Sequence, residues 1–147
     1  MEEQRRFCVL NKICIAFDGS ENAYRAFDFA LELPKLCSGA NPEISVVSVV
    51  VPPEIANVEA DVDVTAFLTQ QLEETLKGLK ERAKDRDITI NITVGHAAEQ
   101  ILKYVSDNNC DMLVMEQVGI SAIEAFLLGS VASRVAANAP CTVTLVK

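Results

Sequence analysis

The segment DMLVMEQVG (residues 111–119), with GSVASRVAANAPCTVTLV (129–146) beginning ten residues after its last glycine, decides how this chain is read. Asp111-Met112-Leu113-Val114-Met115 is a short apolar run with an acidic start, as a buried parallel strand has. Met115-Glu116 ends that strand, and a glycine-containing loop follows through Gln117-Val118-Gly119. Gly129-Ser130 then opens a helical pattern of Val131, Ala132, Val135 and Ala136, and Pro140 precedes a closing strand, Thr142 to Val146. A glycine loop feeding a helix start is suited to an anion, because the first helical N–H groups lack intrahelical partners.

Working outward, the same alternation of strand and helix fills the chain. Lys12 to Phe17 is an apolar, β-branched run ended by Asp18-Gly19-Ser20. Either Ser20 or Asp18 can cap the next helix, and Glu21 suits its positive end. Ala23, Ala26, Phe27, Ala30 and Leu31 give that helix one buried face, and Pro34 lies near its end. Ile44 to Val51 is a further strand, stopped by Pro52-Pro53. Glu54, Glu59, Asp61 and Asp63 then make an acidic loop, read as solvated because like charges without fixed spacing seldom specify a metal.

Leu68, Leu72, Leu76, Leu79 and Ala83 mark a long amphipathic helix from about Thr65 to Asp85, with Gly78 inside it lowering stability by roughly 1 kcal/mol against alanine. Ile88 to Val94 alternates strictly between apolar and polar, which predicts a strand with one wet face near a sheet edge. Gly95-His96 turns into a helix carrying Ala98, Ile101, Leu102 and Val105, closed by Asn108-Asn109. The order β-α-β-α-β-α-β-α-β calls for a parallel sheet with helices on both faces.

Bulk properties narrow the function. A chain of 147 residues is read as one domain, residues 1–147, with a full core. No apolar run approaches the roughly 18 residues of a membrane span, and Met1 to Arg6 mixes acids with arginines, unlike a signal peptide, so a cytoplasmic protein is expected. The net charge of −8 and the scatter of the 13 basic residues argue against nucleic acid. Cys8, Cys14, Cys37, Cys110 and Cys141 contain no Cys-x-x-Cys pair and read as reduced structural thiols, with no metal site expected.

Three stretches together resemble the universal stress protein family: Asp18-Gly19-Ser20-Glu21-Asn22-Ala23 after the first strand, Gly95-x-Ala97-Ala98-Glu99-x-Ile101 in mid-chain, and Gly129-Ser130-Val131-Ala132-x-Arg134-Val135 with Ala139-Pro140-Cys141-x-Val143. The resemblance implies an open five-stranded parallel sheet in the order 3-2-1-4-5, of the adenine-nucleotide α-hydrolase-like type. It also implies a homodimer through the last strand, which pairing would protect as an edge. ATP-binding relatives carry Gly-x-x-Gly, nine residues, then Gly-Ser or Gly-Thr.

Carried over position by position, that resemblance makes Asp18 a contact near ribose and adenine, with Ala16 and Val49 lining the pocket. Met115 and Glu116 would lie beside the nucleotide, and Gly119, Gly129, Ser130 and Val131 around the phosphates. The implied cofactor is ATP, AMP or ADP with Mg²⁺. In open α/β sheets ligands bind at the strand C-terminal ends where the winding reverses, here between the first and fourth strands.

Glu116 stands where the motif has its first glycine. Glycine there lets backbone approach phosphate, whereas a charged Glu116 about 4 Å from an anion would cost on the order of 1 kcal/mol in water-like surroundings and about 4 at a dielectric of 20. Arg134 is the nearby cation. The sequence therefore supports a nucleotide-free regulatory protein, with an ATP-binding sensor as the alternative. Asp18 and Gly129-Ser130 also read simply as a cap and a turn, and His96 as a loop or capping residue. An enzyme fits poorly: one histidine, no Gly-x-Ser-x-Gly, no Walker loop and no Rossmann glycine motif. Slow ATP hydrolysis stays open only if nucleotide binds. The apolar stripe Ile120, Ile123, Phe126, Leu127 and Leu128 reads as core packing.

Overall fold

A computed structural model describes residues 10–36, 41–55, 63–117 and 128–147. The elements are β1 (Lys12–Ala16), α1 (Glu21–Leu36), β2 (Glu43–Val50), α2 (Val64–Arg82), β3 (Ile88–Val94), α3 (Ala97–Asp107), β4 (Met112–Glu116), α4 (Ser130–Asn138) and β5 (Thr142–Val146). Among the described residues the strands form one parallel sheet in the order β3-β2-β1-β4-β5. The fold class is the one the resemblance implied.

Period-two alternation divides the sheet's side chains between two cores. Ile13, Ile15, Val46 and Val114 face α1 and α2, where Phe27 and Leu79 meet them. Cys14, Val47, Leu113 and Met115 face α3 and α4, packing on Val105 and Val135. These side chains are almost fully buried. Each contributes about 1.5–3 kcal/mol of transfer free energy when aliphatic or aromatic. β1 lies at the centre because it is apolar on both faces. β3, with its half-exposed pattern, lies at the edge, and Asn91 on its wet face donates to the Tyr104 hydroxyl at 2.9 Å.

One element end agrees with the sequence reading and one differs. β4 runs through Glu116, because Gln117 N–H continues the ladder to Val146 O at 2.9 Å. α2 stops at Arg82 instead of Asp85, because Ala83 caps it and Lys84 turns to φ 53°. From β1 the chain winds one way through β2 and β3, then crosses back by α3 to β4 on β1's other side. The reversal opens a crevice between the ends of β1 and β4. No described helix is long and apolar enough to cross a membrane.

Candidate functional site

The β1 side of the crevice is rigidly held. Phe17 N–H donates to Val47 O at 3.0 Å, and the buried Ser48 hydroxyl donates to Phe17 O at 2.7 Å. The backbone therefore leaves β1 in one direction. Asp18 Oδ1 accepts from Ser20 N–H at 2.9 Å, and Ser20 Oγ accepts from Ala23 N–H at 3.1 Å. Ser20 is thus the cap of α1, and Asp18 supports the turn before it. Gly19 sits between them at φ +86°, a left-handed conformation that L side chains resist.

Facing Asp18 is Glu116. As the last residue of β4 it follows Val114 in alternation, on the α1 side of the sheet, and only 6% of its surface is exposed. Burial, then the Asp18 charge, push its carboxyl up to about 8 from an ordinary value of 4.5; its own backbone lowers it, and a hydrogen bond with Asp18 makes the smallest contribution, upward. At neutral pH Glu116 therefore keeps its proton and donates it to the Asp18 carboxylate. Glu116 Oε2 has no hydrogen-bond partner among the described residues. The sequence expectation of a charged Glu116 is revised here: low dielectric and a like charge hold it neutral at pH 7.

The α4 side is tied to the same place. Gly129 N–H donates to Gln117 O at 2.9 Å, which sets the start of α4 beside the end of β4. Gly129 is the N-cap residue and supplies no side-chain acceptor, so the first N–H groups of Ser130 and Val131 are not capped by it. Arg134, one turn further, bonds Glu99 Oε1 on α3 at 3.0 Å, both side chains being half exposed.

Asp18, Glu116, Gly129 and Ser130 are thus gathered at one end of the sheet. Ala16 (3% exposed) and Met115 (2%) are committed to the core, and Val49 and Val131 are partly buried against that same core. Gly119, Val118 and the stripe from Ile120 to Leu127 lie outside the described residues, as do Glu59 and Asp61. His96 is exposed at the N-cap position of α3 with no side-chain capping bond.

Two relationships escaped the sequence reading. One is the Asp18–Glu116 hydrogen bond itself. The other is the convergence of Cys14, Cys110 and Cys141 on the α3/α4 face. The hydrogen bond between the first two raises the Cys14 thiol and lowers that of Cys110, and burial raises Cys141. All three are free thiols, and among the described residues no group of three or more His, Cys, Asp or Glu could hold a metal.

Residues 10–147 match the family model described as the universal stress protein family. The chain belongs to the universal stress protein family. A universal stress protein of Methanocaldococcus jannaschii is 30% identical over 141 residues, covering 92% of this chain and 81% of that protein. Among solved structures, the universal stress protein UspA from Lactobacillus plantarum is similar with a TM-score of 0.71 at 19% identity, covering 95% of this chain and 99% of that one. A universal stress protein crystallised in complex with cAMP is similar with a TM-score of 0.71 at 24% identity, covering 93% and 97%. At those two identities the likeness is one of fold. Within the universal stress protein frame, the feature that calls for explanation is the buried carboxyl of Glu116.

Proposed function

We propose that this chain is a universal-stress-type regulatory protein that works without bound ATP, its crevice closed to phosphate by Glu116. In this reading residues 1–147 act as one domain, in the cytoplasm, as a homodimer formed through β5. The observation that carries it is the Glu116 carboxyl, buried at the mouth of β4 and hydrogen-bonded to Asp18. With its proton committed to Asp18, Glu116 offers a phosphate oxygen only another acceptor. Recruiting that proton for the phosphate would leave the Asp18 carboxylate without it, and breaking such a pair is costly where water is excluded. Ala16, Val49 and Met115 then serve the core, and regulation runs through partner contacts of the dimer.

Calorimetric titration with ATP, with and without Mg²⁺, tests this. The expected result is no binding in the micromolar range under either condition. Micromolar binding would overturn it, and a strict Mg²⁺ requirement would point to a metal bridging Glu116 and phosphate. Light scattering tests the dimer.

A second reading, an ATP- or AMP-binding sensor, is favoured by the start of α4. Gly129 leaves the N–H groups of Ser130 and Val131 uncapped by a side chain, and a helix start of this kind suits phosphate. Among the described residues Arg134 is held by an exposed pair worth about 1 kcal/mol or less, which leaves it available to an anion. The cAMP complex of a related fold is consistent with such a ligand.

A further inference from the structure

Three thiols meet on the α3/α4 side of the sheet, and two of them, Cys110 and Cys141, precede β4 and β5 at the end opposite the crevice. Cys14 lies inside β1, level with Leu113 of β4. Cys110 ends the turn that carries the chain from α3 into β4, its N–H donating to Val105 O at 3.1 Å. That turn is held firmly. Asn109 takes φ 51°, Asp111 N–H donates to Lys12 O at 2.9 Å, and Asp111 Oδ2 accepts from the N–H groups of Asn11 and Lys12 at 2.8 Å each. On this frame a hydrogen bond joins the sulfurs of Cys14 and Cys110.

The two thiols are not equivalent. Cys14 is 0% exposed and donates its S–H to Cys110, which keeps Cys14 a thiol and favours thiolate at Cys110. That bond outweighs burial in lowering the Cys110 thiol; the Lys12 charge lowers it further, and Asp111 opposes. Lys12 Nζ is anchored over the turn by its bond to Asn108 O at 3.2 Å. Cys110 keeps 7% of its surface, enough for a small oxidant and too little for a bulky one. Cys141, half-buried nearby, is held up by burial and is the weaker nucleophile.

We propose that Cys110 and Cys14 form a peroxide-oxidisable dithiol, with Cys110 reacting first and Cys14 closing a reversible disulfide between β1 and the turn before β4. The Cys110 thiolate attacks one oxygen of hydrogen peroxide, the O–O bond breaks, and Cys110 becomes a sulfenic acid as one water leaves. The Cys14 sulfur then attacks the Cys110 sulfur; the S–O bond breaks, and the departing hydroxide takes the Cys14 proton as a second water. Two electrons pass from the thiols to the peroxide. The second step needs no solvent access at Cys14, because its partner is already in contact. A metal site is the poorer reading, since the thiols belong to no group of three or more metal-ligating residues among the described residues.

The test is peptide mapping by mass spectrometry, without reductant, of the reduced full chain after exposure to hydrogen peroxide at pH 7. A Cys14–Cys110 disulfide that dithiothreitol reverses is expected, with Cys110 consumed about tenfold faster than Cys141. Cys14→Ala removes the second thiol and keeps the core apolar; with dimedone present it should accumulate the trapped Cys110 sulfenic acid and no disulfide at that residue. Cys110→Ser, which removes the first thiol, should leave Cys14 reduced. Cys14 and Cys110 both surviving in folded wild type, Cys110 pairing with Cys141 instead, or oxidation confined to the other cysteines would overturn the proposal. So would a Cys14→Ala variant, folded by circular dichroism, that yields no dimedone adduct on Cys110. The wild-type map decides alone if that variant does not fold.

Discussion

The carboxyl of Glu116 donates a hydrogen bond to the carboxylate of Asp18, joining the end of β4 to the turn after β1 across the crevice of the sheet. That pairing makes protonation part of the native structure, and it has a thermodynamic signature. An acid whose folded pKa is raised holds more protons folded than unfolded. Stability present below pH 4.5 is therefore lost as pH rises through about 8. The loss over that window amounts to at most roughly 5 kcal/mol. Glu116→Gln removes the titration, so its urea-denaturation profile should be flatter between pH 5 and 8 and the variant should be about 1–3 kcal/mol more stable than wild type at pH 8. Parallel profiles for the two proteins would contradict this.

Asp18→Asn separates the two causes of the Glu116 shift. Asparagine keeps an oxygen for Ser20 N–H, so the turn survives, but the charge facing Glu116 is gone. The carboxyl midpoint, followed by carbon-13 NMR, should fall below about 8 yet stay above 4.5, since burial is the larger cause and remains. A return to 4.5 would mean that the Asp18 charge is the whole effect.

Ser48 holds the β1 exit by donating to Phe17 O at 2.7 Å in a buried setting. Ser48→Ala leaves that carbonyl without this donor and should cost about 1–3 kcal/mol in chemical denaturation. A cost below about 0.5 kcal/mol would show that water or a neighbour replaces the hydroxyl.

Gly19→Ala tests backbone rather than packing. The added Cβ would meet only Thr75 Cγ2 at 3.9 Å, an ordinary contact, so the expense lies in φ +86°. A loss of about 1–2 kcal/mol is expected, with a shifted Glu116 carboxyl midpoint because Asp18 is displaced. Unchanged stability would show that the turn accepts another conformation.

Much of this fold is legible in the sequence because each strand carries its own signal. The alternation in Ile88–Val94 marks a strand near a sheet edge, and the apolar, β-branched run of β1 marks a buried one. The neighbour order is not written in either period, and came from the resemblance. Glu116 was visible as a departure from the glycine motif, but its charge state was not. Ionisation is set by how deeply β4 buries the side chain and by Asp18, a residue brought opposite only by the β1–β4 pairing. The cysteine convergence was hidden for the same reason: Cys14, Cys110 and Cys141 are far apart in sequence and become neighbours through the strand order. Ser20, not Asp18, caps α1, a choice local sequence leaves open because both residue types cap well.

The most direct test of the account is ATP calorimetry on wild type and Glu116→Gly side by side at pH 7. If Glu116 closes the crevice, wild type should bind no ATP in the micromolar range and the glycine variant should gain about tenfold or more in affinity. Micromolar binding by wild type, unchanged or weakened by Glu116→Gly, would contradict it.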